Sequence, residues 1–318
     1  MTGSGAAQHD ELLALGRFLR DSGYQFTAVT PDTHQGFLER APGWAHGVRD
    51  VLGWSMRFER STLEPRLFEL MLAANICEPA AQGSFRASLR CSTLGDMLFF
   101  HSSFPTHQTD AVFFGPDSYR FVRAILARTA GPQEVVVDVG CGSGVGGIAL
   151  ARSVKVGTLV LADVNPRALA LAAVNAQLND VRAELVLSDV LGNVAYTPSL
   201  VIANPPYLAD LEGRVYRSGG GELGTALSVR IAAEAAARFA AHGGRLLLYS
   251  GAPVLRGEDR LRAGLLAVLC QPSVRFDYEE LDPDVFGSEL SKACYAGVER
   301  IAAVLLDASF GVGREPRR

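Results

Sequence analysis

Apolar positions in the first hundred residues recur at helical spacing and then switch to alternation. Leu12, Leu15, Phe18 and Leu19 share one face of a helix that Asp10 is placed to cap and Gly23 to stop. A second helix is predicted over residues 62–75. Phe85, Ala87, Leu89 and Cys91 then alternate with polar residues, Gly95-Asp96 forms a turn, and residues 97–100 are apolar again, which predicts a hairpin. Helices followed by a hairpin suggest a small winged-helix-like α+β module, used either for substrate recognition or as a packing cap.

Residues 104–110 turn polar around Pro105 and read as a linker, dividing the chain into an accessory domain at 1–108 and a second domain at 109–318. From Val112 onward strands alternate with helices. The strands fall at residues 135–139, 159–162, 183–187, 199–203, 245–249, 274–278 and 301–306, with helices between most of them, notably at 166–178 and 229–241. That alternation implies a Rossmann-like α/β domain with a parallel sheet of seven strands.

A length of 318 residues and a hydrophobic fraction of 48% give ample material for a core. Mean hydropathy is +0.15, yet no apolar run approaches the roughly 18 to 20 residues of a membrane-crossing helix. The first ten residues lack a basic start followed by an apolar stretch, so a cytoplasmic protein without membrane association is expected. A net charge of −4 argues against a broad nucleic-acid footprint. The Arg-rich end at residues 314–318 reads as a solvated tail. Cys77, Cys91, Cys141, Cys270 and Cys294 are odd in number and scattered, and are expected as buried free thiols. The six histidines have no metal-ligand spacing and no serine sits in a nucleophile elbow, so no metal is expected.

Asp138-Val139-Gly140-Cys141-Gly142-Ser143-Gly144 follows a predicted strand and precedes a helix beginning near Gly146. Its glycines allow a tight turn in which a ligand approaches the backbone without meeting a Cβ. Gly142, Gly144 and Gly147 also satisfy the dinucleotide spacing, which keeps a NAD-linked or nucleoside-binding protein without methyl transfer as an alternative. Asp138 favours S-adenosylmethionine, because a carboxylate there can hold an ammonium group and would repel a pyrophosphate. Asp163, followed by Val164, ends the next strand and can accept both ribose hydroxyls. Asp189 and Val190 end the third, where an acid can receive the adenine amino group.

Asn204-Pro205-Pro206-Tyr207 lies at the carboxyl end of the fourth strand, where open α/β sheets bind ligands. A planar NH₂ group offers two donors, which the Asn204 side-chain oxygen and the Pro205 carbonyl can accept, while Tyr207 can stack on the acceptor. Together with the glycine turn and Asp163-Val164-Asn165-Pro166, this segment resembles the HemK/PrmC-type release-factor glutamine methyltransferases of the small-domain class I superfamily. The resemblance covers about residues 112–306. It implies a seven-stranded class I methyltransferase domain, S-adenosylmethionine as cofactor, and an amide-binding role for Asn204, Pro205 and Tyr207. It also matches Gly219-Gly220-Gly221-Glu222-Leu223-Gly224 to the family's glycine-containing segment, and Phe113 to Ser118 to a segment covering the cofactor, with Phe114 at the site.

The expected reaction is methyl transfer to an amide, guanidine or amine nitrogen of a protein side chain, such as a release-factor glutamine, or of a small molecule such as an amino acid. The same motif serves adenine-N6 and guanine-N2 methylation, so a DNA or rRNA acceptor is the main alternative.

Overall fold

The structure, a computed structural model, describes residues 3–41, 43–106, 108–209, 218–221 and 223–311. His107, Glu222 and residues 314–318 lie outside these. Helix α1 (Gly3–Asp21) begins well before Asp10, so Asp10 sits inside the helix and does not cap it. The expected stop is observed: Gly23 takes φ +69°, and the N–H groups of Gly23 and Tyr24 donate to the carbonyls of Arg20 and Leu19. Helices α2 (Pro31–Arg40) and α3 (Val48–Leu52) were not legible as periodic segments. α2 is mostly polar and is nucleated by its ends, with Pro31 in the first turn and the Thr30 side chain accepting from Thr33 N–H at 3.2 Å. Helix α4 (Pro65–Ala73) is shorter than the predicted 62–75, because Pro65 fits only the first turn.

The alternating run at 85–91 is divided between two ribbons. β1 (Cys77–Pro79) pairs antiparallel with β2 (Phe85–Ala87), and β3 (Leu89–Leu94) pairs antiparallel with β4 (Met97–Ser102) around Gly95 at φ +61°. The module therefore carries two short ribbons instead of one wing. Most of β3 and β4 is buried on both faces, against the half-solvated hairpin that alternation implies.

Beyond α5 (Pro116–Arg128), the strands β5 (Gln133–Val139), β6 (Val156–Asp163), β7 (Glu184–Leu187) and β8 (Leu200–Ala203) alternate with α6 (Val145–Ser153) and α7 (Pro166–Leu178). Helix α8 (Ala226–Phe239) leads to β9 (Gly244–Leu255), the short β10 (Glu258–Asp259), α9 (Arg260–Leu269), β11 (Val274–Asp282) and β12 (Val298–Phe310). The sheet order is β11-β12-β9-β8-β5-β6-β7, with β10 added to β9. The sheet is parallel at its centre, as expected, over β9, β8, β5, β6 and β7, and mixed at one edge, where β12 runs antiparallel to both β9 and β11. A chain crossing through 3-10 turns between β11 and β12, without a crossover helix, reverses the last strand.

β9 outruns β8, whose register ends at Leu248. The extension through Pro253 is paired with β12 alone, which leaves room for a residue without a backbone N–H.

The N-terminal module is packed into the α/β domain. One core joins Leu12, Leu15, Phe68 and Met71 to Ala168, Leu171, Val174 and Leu178 of α7. Asn175 of α7 and Asn179, which caps its end, complete the docking by acting as a substitute strand for β4. Asn175 accepts from Phe100 N–H at 2.8 Å and donates to its carbonyl at 3.0 Å, and Asn179 does the same for Leu98 at 3.1 and 2.8 Å. A sheet edge left in the interior would otherwise hold unsatisfied backbone groups. Among the described residues no helix is long and apolar enough to cross a membrane.

Candidate functional site

A cavity of about 800 Å³ opens where the parallel strands end, and both the sheet loops and the N-terminal module wall it. On its β5 to β7 side the glycine turn follows the Asp138 strand end as expected. Gly140 and Gly142, at φ +66° and +54°, have open space where a Cβ would stand, so the backbone meets the cavity bare. Gly144 and Gly147 serve packing instead: a Cβ there would meet Ile148 at 2.8 Å and Leu161 at 2.7 Å. The third glycine of the dinucleotide spacing is therefore explained by helix-to-strand contact.

Asp138 is 2% exposed, and its Oδ2 accepts from Gly147 N–H at 2.8 Å. Burial pushes its carboxyl up to about 7, with Asp163 adding to the rise and the Gly147 N–H opposing it. A cationic ligand group would recover the ionised form. Asp163 is also buried and raised, its oxygens accepting from Gly142 N–H and Asn165 N–H, both at 2.9 Å. Each oxygen keeps a second lone pair for a ribose hydroxyl. Asn165 caps α7 through Arg167 N–H at 2.9 Å and donates to the Asp110 carbonyl at 2.7 Å, which ties the predicted linker to this loop.

Val164 is 47% exposed beside Asp163, an apolar side chain offered at the cavity edge. Val190 lines the cavity, buried and at φ +50°. Asp189 also lines it, but its carboxylate is engaged by Arg230 of α8 at 2.7 Å. These positions together suit S-adenosylmethionine: acids at two strand ends, bare backbone between them and an apolar edge.

Asn204, Pro205, Pro206 and Tyr207 line the same cavity at the end of β8. The Tyr207 ring lies across the extended part of β9, where a Cβ on Gly251 would meet it at 2.4 Å, and it makes edge contacts with Tyr249 at 6.3 Å and Phe286 at 5.8 Å. The glycine-rich segment packs backbone to backbone against the motif. Gly219 N–H donates to the Leu208 carbonyl at 2.9 Å, and a Cβ at Gly219 or Gly224 would meet the Pro206 carbonyl at 2.8 Å or the Tyr207 carbonyl at 2.5 Å. Side chains there would displace the loop.

Phe114 borders the cavity, as the resemblance implies. It is 1% exposed and fixed between Phe99 and His101, with Tyr119 edge-on. The same segment, where α5 starts, supplies a further group to the cavity. Asp117 is 4% exposed and lines the cavity, accepting from the Tyr249 hydroxyl at 2.7 Å and from Arg120 at 3.3 Å. Arg120 continues to Asp282 at 3.1 Å. Burial raises the Asp117 carboxyl, and the hydroxyls and Arg120 hold it down. The partners come from α5, β9 and β11, so no local pattern signals this network.

The thiols are all free, as expected, but only Cys91 and Cys141 are buried and Cys270 is exposed at the end of α9. Among the described residues no group of three or more His, Cys, Asp or Glu could hold a metal ion.

The methyltransferase small domain family matches residues 117–248, from α5 into β9. A release factor glutamine methyltransferase of Cereibacter sphaeroides is 31% identical over 228 residues, covering 64% of this chain and 78% of that relative. A second, from Lactococcus lactis, is 34% identical over 94 residues, but the chain spans only 35% of its length. A ribosomal protein L11 methyltransferase of Cupriavidus taiwanensis is 34% identical over 134 residues, 40% of this chain and 44% of that one.

Proposed function

This chain belongs to the small-domain S-adenosylmethionine-dependent methyltransferases, and we propose that within them it is an N-methyltransferase acting on a planar nitrogen. The acceptor is an amide, guanidine or amine of a protein side chain such as a release-factor glutamine, or of a small molecule such as an amino acid. One observation carries this reading: Asn204 to Tyr207 border the cavity that Asp138, Asp163 and the bare glycines also border.

When bound, S-adenosylmethionine supplies a methyl carbon activated by the adjacent sulfonium. Asp138 holds its ammonium group, Asp163 the ribose hydroxyls, and Asp189 and Val190 the adenine edge. The Asn204 side-chain oxygen and the Pro205 carbonyl accept the two hydrogens of the acceptor nitrogen and fix the direction of its lone pair. Tyr207, held over Gly251, supports the acceptor from below. No covalent nucleophile is called for, since orientation and exclusion of water around the lone pair lower the barrier. Residues 1–108 form the acceptor-side wall in this reading.

The test is transfer of an isotopically labelled methyl group into separated protein, nucleic-acid and small-molecule fractions by the chain and by Asn204→Ala. Label is expected as N-methyl product in the protein or small-molecule fraction. Asn204→Ala should lower transfer by about 10²- to 10³-fold with S-adenosylhomocysteine affinity unchanged. Label confined to nucleic acid, or loss of cofactor binding in step with transfer, would sink the assignment.

A further inference from the structure

The N-terminal module brings a buried cation to the cavity, and among the described residues no carboxylate pairs with it. Arg90 of β3 is 6% exposed and lines the cavity together with His34 of α2 and Phe104. Its Nε donates to the Ser102 carbonyl at 3.1 Å, and Nη1 donates to His34 Nδ1 at 3.3 Å. His34 is itself committed, because Nε2 donates to the Trp54 carbonyl at 2.9 Å, leaving Nδ1 as the acceptor in a neutral ring. Burial lowers the His34 imidazole to about 4 and the Arg90 guanidinium to about 10, so at neutral pH the first is uncharged and the second remains a cation.

The ionisable side chains around Arg90 are Tyr24, Tyr119, His34 and His101, all uncharged at neutral pH, and among the described residues it has no ion pair. A buried guanidinium without a counter-ion carries a large desolvation penalty, which a ligand anion at the cavity would offset. Phe104 stacks on His34 at 4.1 Å, so the ring that orients the guanidinium is clamped and the fork is held in one direction. The remaining η hydrogens form a flat donor set that suits a carboxylate better than a single ammonium would. A phosphate would bring more negative charge than this one cation answers, into a cavity already bordered by Asp32, Asp117, Asp138 and Asp163.

Resting on the N-methyltransferase reading, we propose that Arg90 is the carboxylate anchor of this cavity, and that the acceptor is a free small molecule bearing a carboxylate as well as the planar nitrogen that reaches Asn204. An amino acid with a side-chain amide or guanidine is the simplest such molecule. A residue inside a protein chain, whose carboxyl is an amide, lacks the group that Arg90 binds. The cofactor carries a carboxylate too, on its amino-acid tail, and the experiment separates the two sources.

The whole chain, saturated with S-adenosylhomocysteine, is titrated calorimetrically with L-glutamine, L-arginine and their α-carboxamides. At least one free acid is expected to bind about 100-fold more tightly than its amide, and Arg90→Gln should bring acid and amide to within a few-fold of each other. Arg90→Lys should restore part of the preference. In parallel, S-adenosylhomocysteine is compared with 5′-methylthioadenosine, which lacks the tail; both should bind wild type and Arg90→Gln alike, which also shows that the variant is folded. Acid and amide binding equally well, or neither binding, overturns the proposal. A drop confined to S-adenosylhomocysteine in Arg90→Gln assigns the carboxylate to the cofactor and overturns it as well. Methyl transfer to a peptide glutamine with no binding of free amino acids would leave the N-methyltransferase reading standing and remove this one.

Discussion

On the β5 to β7 side of the cavity, the groups that face the ligand are backbone turns and the acids beside them, set at strand ends by short motifs. Asp163 is fixed by Gly142 and by Asn165, two residues on. On the opposite side nothing is local. Arg90 is oriented by His34, which is oriented by Trp54, and Tyr207 rests on Gly251. One wall can recur wherever its short motifs recur, whereas the other depends on how an entire module is docked. The cofactor is therefore a property of the family, and the acceptor is a property of this chain.

The largest effect that would break the comparison is expected at Asp163. Asp163→Ala removes the proposed ribose acceptor and leaves the Gly142 and Asn165 N–H groups unpaired. S-adenosylhomocysteine affinity should fall by about 100-fold or more, with stability lowered by about 1–3 kcal/mol. Calorimetric titration and denaturant unfolding check both numbers. A variant with intact cofactor affinity and impaired acceptor use would show that the walls are not separable.

A smaller effect in the other direction is expected at Gly251. Gly251→Ala drives a methyl group into the Tyr207 ring, at 2.4 Å in the present packing, and the ring must shift. Overpacking of this kind costs about 1–3 kcal/mol. Steady-state kinetics should show methyl transfer reduced by about tenfold or more, with S-adenosylhomocysteine affinity within about twofold of wild type. Equal damage to both would mean that the loop at Tyr207 also shapes the cofactor wall.

This asymmetry explains how much of the molecule was legible beforehand. The buried strands β5, β6, β8, β9 and β12 were found because they read as apolar runs, and the glycine turn, Asp138, Asp163 and Asn204 to Tyr207 were found because each is a short motif at a strand end. The reversal of β12 was missed, since an apolar run does not carry its direction. α2 was missed because its apolar positions are too few to show a period. Arg90, His34 and Asp117 went unread for a different reason: each is polar in sequence, and only partners 56 and 132 residues away give it a place in the interior.

The smallest expected effect concerns Asp138. Its folded carboxyl is raised to about 7 from an ordinary value of 3.8, so the folded chain binds a proton that the unfolded chain has released. The stability from this group is complete below the ordinary value and is lost as pH climbs through 7. Without cofactor, the unfolding midpoint should fall between about pH 5 and about pH 8 by an amount that Asp138→Asn removes. S-adenosylmethionine affinity should rise over the same interval, because its ammonium meets the ionised carboxylate. Scanning calorimetry and titration across that range decide it, and a flat profile in the wild-type chain would contradict the buried, ammonium-binding carboxylate.

The two asparagines that complete β4 bear on how such proteins diversify. A helix that carries the Asp163 to Asn165 loop at its start and a strand-like set of amides along its flank couples the N-terminal module to the α/β sheet. A module taken from another family member and placed on this chain would bring a β-edge needing its own partners, and Asn175 with Asn179 would have to travel with it or be rebuilt. Changing the acceptor by recombination is accordingly a matter of exchanging the module and the outer face of one helix as a unit.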